Sequence, residues 1–166
     1  MGMVTRTVRL APVSYSIWSG TGFSNLDNAL TDVDSSTYAI AQNTDTSTTK
    51  TVFFTFDYTA IPDGATISSF EFKAKVQNNI SAQVQVSLRR SNATDTTKYF
   101  NQGTSTQTLT PTGSFTYYKN NGYGIAFGST GNNKCDFYIY GSEMDVTYTA
   151  FEPDTHGIFN LILPRG

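Results

Sequence analysis

Within the run 67–76 the chain alternates strictly from Phe70 on, with Phe70, Phe72, Ala74 and Val76 on one side and Glu71, Lys73 and Lys75 on the other. A period of two is that of a strand with one face on a core and the other in water. The preceding Pro62-Asp63-Gly64 supplies a turn, since proline fixes one φ and glycine accepts a positive one. The rhythm recurs at 4–10, 83–88, 135–140 and 144–148, with a β-bulge expected at Gly141 between the last two. Residues 52–58 are mostly apolar and aromatic, as in a strand covered on both sides. Residues 98–109 form a weaker strand region interrupted by Gly103. Asn78-Asn79 and Asn120-Asn121-Gly122 read as hairpin turns, the second between strands at 114–118 and 123–127. Residues 14–50 read as a long connection holding Trp18, a helical turn at 25–30 capped by Ser24, and a polar tract over 42–50. No helix is long enough for a βαβ crossover. The pattern predicts one all-β domain over 1–166, an antiparallel β-sandwich of jelly-roll type, with attachment arms at 1–16 and 152–166.

Composition sharpens this picture. Thr, Ser and Asn contribute 26, 16 and 12 of the 166 residues, while charged residues are only 14%, against about 25% in ordinary soluble domains. Aromatics reach 14%, the reverse of a disordered chain. The expected molecule has an aromatic core under a polar, weakly charged coat. A net charge of −2 argues against a phosphate-binding surface, and the adjacent pair Arg89-Arg90 reads as a solvated strand terminus, so no nucleic acid is expected. No apolar run approaches a membrane span, so no membrane insertion is expected. The single cysteine, Cys135, cannot form an internal disulfide, which favours assembly in a reducing compartment.

The chemistry of catalysis has no foothold in the pattern. The one histidine, His156, is far from Cys135 in sequence, and there is no nucleophile elbow, phosphate-binding glycine loop or zinc-protease motif. The acids sit at turns (Asp63, Asp95, Asp154) or on presumed solvent faces (Glu71, Asp145). A non-enzymatic chain is expected. Two binding chemistries stay open. Tyr117, Tyr118, Tyr123, Tyr138 and Tyr140 form a candidate sugar-stacking platform, or else line a core edge with their hydroxyls at the surface. Asp32 and Asp34, with Ser35 and Thr37, bring together the hard oxygen donors that Ca²⁺ prefers, or else make Asx turns with their own backbone.

Residues 28–39, Asn-Ala-Leu-Thr-Asp-Val-Asp-Ser-Ser-Thr-Tyr-Ala, resemble the calcium-holding loop of discoidin-like, galactose-binding-like jelly rolls, with Thr31 as an extra residue and Val33 in place of a glycine. That resemblance implies Asp32, Asp34, Thr37 and Glu143 as ligands of a possible Ca²⁺, and carbohydrate binding as a function. A broader resemblance runs from Trp18 through Asn28, Ala29, Asp34, Thr37, Tyr38, Phe54 and Phe56 to the segment 61–67, Phe70 and Phe72. This arrangement is similar to β-sandwich domains of tailed-bacteriophage virion proteins, such as tail fibres, head fibres and capsid-decorating proteins. It implies a non-enzymatic structural protein of the virion, assembled in the host cytoplasm, with other virion proteins as partners and a host-surface glycan as a possible ligand. The apolar run Ile158, Phe159, Leu161, Ile162 and Leu163 beyond Pro153 is either a last core strand or a docking arm, and on the second reading the chain forms a homo-oligomer.

Overall fold

The computed structural model describes residues 2–43, 49–130 and 134–152. Among these residues eleven strands form two antiparallel sheets: β1 (Gly2–Leu10), β2 (Ser14–Ser19), β3 (Phe23–Ser24), β4 (Ala39–Asn43), β5 (Thr51–Thr55), β6 (Thr66–Asn78), β7 (Val84–Arg90), β8 (Ala93–Phe100), β9 (Gly103–Leu109), β10 (Gly124–Ser129) and β11 (Cys135–Glu152). One sheet runs β3-β4-β11-β6-β9, with β1 added along β11, and the other runs β2-β5-β10-β7-β8. Strands β4 to β11 thus pair as β4-β11-β6-β9 against β5-β10-β7-β8, the double Greek key of a jelly roll. The all-β sandwich expected from the alternation is the fold observed.

Side chains of alternate positions meet between the sheets. Phe72, Ala74 and Val76 from β6, Val86 and Leu88 from β7, Ile125 and Phe127 from β10, and Phe137 and Ile139 from β11 are all fully buried. Phe54 and Phe127 meet edge to face, with ring centroids 5.5 Å apart, the geometry that the aromatic quadrupole favours. The outward positions of β6, Glu71, Lys73, Lys75 and Gln77, are half-buried, as the period of two requires. Gly64 takes φ +80° and closes the turn after Pro62, with Ala65 N–H donating to the Pro62 carbonyl at 3.2 Å. A register shift between Ile139 and Gly141 is the expected bulge, and it lies inside one continuous strand.

Three expectations change. Residues 14–50 contain β2, β3 and β4: β2 pairs with β5 and β4 with β11, partners that their own short patterns do not announce, and β3 pairs with β4. The helical turn there is a 3₁₀ helix, Leu26–Ala29, preceded by Asn25 in the left-handed region at φ 54°, and Ser24 belongs to β3. Residues 115–118, expected within a strand, are helical. Helix α1 (Phe115–Asn121) is capped by Ser114 Oγ, which accepts from Tyr117 N–H at 3.1 Å, and stopped by Gly122 at φ +64°. Capping at both ends, with Phe115 and Tyr118 three apart on the buried side, outweighs the strand propensity of Phe and Tyr. Within the segment expected as an arm at 1–16, Gly2–Leu10 forms β1 and Ser14 opens β2. The C-terminal run at 158–163 and His156 lie outside the described residues.

Candidate functional site

The residues expected to bind calcium converge in part. Glu143 points outward from β11 just past the bulge, and the loop 31–34 folds over it, so that the side chain is completely buried. Ser142 N–H donates to the Thr31 carbonyl at 3.1 Å, and Val33 N–H donates to Glu143 Oε1 at 3.2 Å. The cationic position among these acids is held by Arg9. Because β1 pairs Arg9 with Asp145, its guanidinium lies 2.9 Å from Glu143 Oε2, 2.5 Å from Asp34, 3.6 Å from Asp145 and 4.0 Å from Asp32. Asp32 Oδ1 accepts the Asp34 N–H at 2.9 Å, an Asx turn, and Thr37 bonds locally with Ser35. Among the described residues no group of three or more His, Cys, Asp or Glu side chains is placed to hold a metal ion. Arg9 brings a positive charge among these four acids.

This cluster also contains a proton-binding group near neutrality. Burial pushes the Glu143 carboxyl up to about 7, a hydrogen bond to Asp145 helps, and the Val33 N–H and Arg9 pull the other way. Such a value suits a general acid. The roof formed by loop 31–34 keeps substrate from it, since no part of the side chain is exposed. The neighbouring polar depression of about 470 Å³ is lined by Arg9, Glu71, Lys73, Asp145, Thr7 and Thr147 among others, and its acids already face Arg9 and Lys73.

The five candidate sugar-platform tyrosines do not form one surface. Tyr118 and Tyr123 are buried and stacked on each other at 4.4 Å, and Tyr117 stands exposed beside them at the end of α1. Tyr138 and Tyr140 lie on the outer face of the other sheet. There Tyr38 stacks on Tyr138 at 4.2 Å, and Lys75 Nζ sits 4.6 Å from the Tyr140 ring centroid. Tyr140 donates to Gln77 Oε1 at 3.1 Å. These rings are half-buried and largely satisfied by one another, and their clearest role is to fasten the loop that ends at Tyr38 to the sheet. Cys135 is buried in the core, which pushes its thiol up to about 11.

A surface that the sequence did not disclose lies on the outer face of the β2-β5-β10-β7-β8 sheet. Its central strand presents Gly124, Ala126 and Gly128 outward, so there is almost no side chain along the middle. On one flank Trp18 of β2 stacks on Phe53 of β5, centroids 4.4 Å apart and rings 19° from parallel. Gly124 permits this, since a Cβ there would come within 2.8 Å of Phe53 Cζ and collide with the Phe54 carbonyl. On the other flank stand Gln85, Ser87 and Arg89 of β7, and the Arg89 guanidinium reaches across to 5.0 Å from the Trp18 ring centroid. A depression of about 430 Å³ opens at the end of this face, lined by Ser16, Trp18, Phe53, Arg90, Asn92 and Asn121 among others. Arg90 Nη1 donates to Asn121 Oδ1 at 3.0 Å, which ties α1 to this rim.

No protein-family model matches this chain, and no curated sequence is significantly similar to it. Among solved structures it is similar to the CBM36-1 domain of a multidomain xylanase from the hindgut metagenome of Trinervitermes trinervoides, with 10% identity and a TM-score of 0.39, over 90% of this chain and 100% of that domain. A likeness that distant carries no statement about ligand or activity.

Proposed function

We propose that this chain is a non-catalytic carbohydrate-binding domain that receives its ligand on the outer face of the β2-β5-β10-β7-β8 sheet. The observation that supports this reading is the stacked Trp18–Phe53 pair at the rim of a depression whose other groups are hydroxyls, amides and guanidinium. A pyranose needs that combination: an aromatic face for its C–H surface, and convergent polar groups that fix its hydroxyls. The test uses the only tryptophan of the chain as its own reporter. A panel of soluble polysaccharides is screened by affinity electrophoresis and by Trp18 emission. We expect retardation and an emission change for at least one polysaccharide. Trp18→Ala is expected to weaken that binding roughly 30-fold, about 2 kcal/mol for a central aromatic anchor, with melting temperature nearly unchanged because Trp18 sits half-buried on an edge strand. Undiminished retardation of the variant, or no retardation of the wild type by any member of the panel, overturns the proposal.

A second reading, a structural component of a bacteriophage virion, is supported by the resemblance over residues 18–90 and by the polar, weakly charged coat. It is compatible with a glycan-binding face carried on a particle. Stoichiometric presence of the chain in purified particles supports it. A chain lacking residues 152–166 that stays folded but leaves the particle would support a docking role for the run 158–163 on this reading.

A further inference from the structure

The ion pairs of this molecule are unevenly placed. Arg6 pairs with Glu152, Arg9 with Asp34, Glu143 and Asp145, Lys73 with Glu71 and Asp145, and Lys119 with Asp63. Arg89 and Arg90 have no such partner among the described residues. Arg89 donates to the main-chain carbonyls of Arg90 and Ser91 at 3.2 and 3.3 Å, Arg90 reaches only the Asn121 amide, and its Nε is buried with no hydrogen-bond partner. No Asp or Glu lines the depression beside them. Asp95, on the adjoining strand, is engaged with Thr112. Two half-buried guanidinium groups without a counterion, in a chain of net charge −2, leave unspent the charge-assisted forked hydrogen bonds that arginine makes to carboxylates.

We infer that the ligand of this depression is an acidic saccharide, a uronate-type sugar whose ring lies against Trp18 and whose carboxylate is taken by Arg90 with Arg89 beside it. The inference rests on the carbohydrate reading above and names its ligand class. Arg90 lines the depression together with Trp18 and Phe53, and the Arg89 guanidinium lies next to it, 5.0 Å from the Trp18 ring centroid. A neutral sugar would use the stack and the amides but leave both cations unpaired.

The experiment titrates the wild-type chain with oligogalacturonate and with its full methyl ester, reading Trp18 emission at constant ionic strength, with sodium sulfate alone as a third titrant. The free acid is expected to bind at least tenfold more tightly than the ester, and Arg90→Gln and Arg89→Gln each to remove most of that difference while leaving the affinity for the ester in place. Equal binding of acid and ester overturns this inference and leaves the carbohydrate reading standing. No emission change with either saccharide overturns this inference, and the polysaccharide panel then decides the carbohydrate reading by itself. A response to sulfate as strong as to the oligogalacturonate overturns it as well, because the site would then select any anion. The acid–ester comparison needs no variant, so a misfolded arginine substitution does not shelter the proposal.

Discussion

Replacing Gly141 by alanine is expected to destabilise the protein by about 3 kcal/mol and to lower its melting temperature by roughly 6–12 °C. The glycine is not there for a left-handed backbone. It is there because two carbonyls lie against it: a Cβ at 141 would collide with Asp32 O and stand 2.6 Å from Thr31 O. Those are main-chain atoms and cannot swing aside like the end of a side chain. Loop 31–34 must therefore lift, and lifting breaks the Ser142–Thr31 and Val33–Glu143 hydrogen bonds and exposes Val33 and Ala29, which are buried in the native state. Overpacking typically costs 1–3 kcal/mol, and an unpaired buried donor adds a comparable amount. Gly2→Ala is the control, since nothing lies within 4 Å of the position its Cβ would take, and thermal melts of the two variants give the comparison. A Gly141→Ala melting temperature equal to that of the control would mean that the loop is held loosely, and the account of the Glu143 site would fall with it.

The same glycine shows how far the sequence could be read. The bulge at Gly141 was legible because two alternating runs, 135–140 and 144–148, fall out of phase across it. What occupies the space above the bulge was not, since Thr31 and Asp32 arrive from more than a hundred residues away. Strands β6, β7 and β11 announced themselves by period, because each has one face on the core and one in water. Helix α1 did not, because its composition favours a strand and its caps, Ser114 and Gly122, decide the matter only once they are seen as caps. The acids of the expected calcium loop do gather, but only the register of β1 against β11 brings Arg9 among them. The Trp18 surface draws on β2, β5, β7, β10 and α1, so no local motif marks it. Its one available signal was the alternation Gly124, Ala126, Gly128, which leaves one face of a strand without side chains.

Stability is expected to fall as pH rises from about 4.5 to about 7, and Glu143 is the reason. Its carboxyl is buried beneath loop 31–34 and titrates near 7 in the folded chain. In the unfolded chain it returns to the ordinary glutamate range of about 4.3. Between those values the folded state holds a proton that the unfolded state has released, so the slope of unfolding free energy against pH is negative. The contribution is fully present below the unfolded value, is lost as pH climbs through the folded one, and is absent above it. A displacement of about 2.5 pK units corresponds to about 3 kcal/mol across the window. When protonated, Glu143 can donate to Asp145. When ionised, it relies on Arg9 at 2.9 Å and on the Val33 N–H, while Asp145 repels it. The groups around it are Arg9 of β1, Asp32 and Asp34 of the loop, Lys73 and Glu71 of β6, and Asp145 of its own strand. Glu152 acts with the opposite sign, because its hydrogen bond to Arg6 lowers its pKa and stabilises the fold at higher pH. The readout is therefore a difference. Urea unfolding of the wild type and of Glu143→Gln is measured from pH 4 to pH 8, the amide keeping an acceptor for Val33 N–H but nothing to titrate. The gap between the two curves should shift by about 3 kcal/mol in favour of the glutamine variant between pH 4.5 and 7, then level off. A gap that stays constant over that range would mean that Glu143 is ionised in the folded chain throughout, with Arg9 holding it charged from acid to neutral pH.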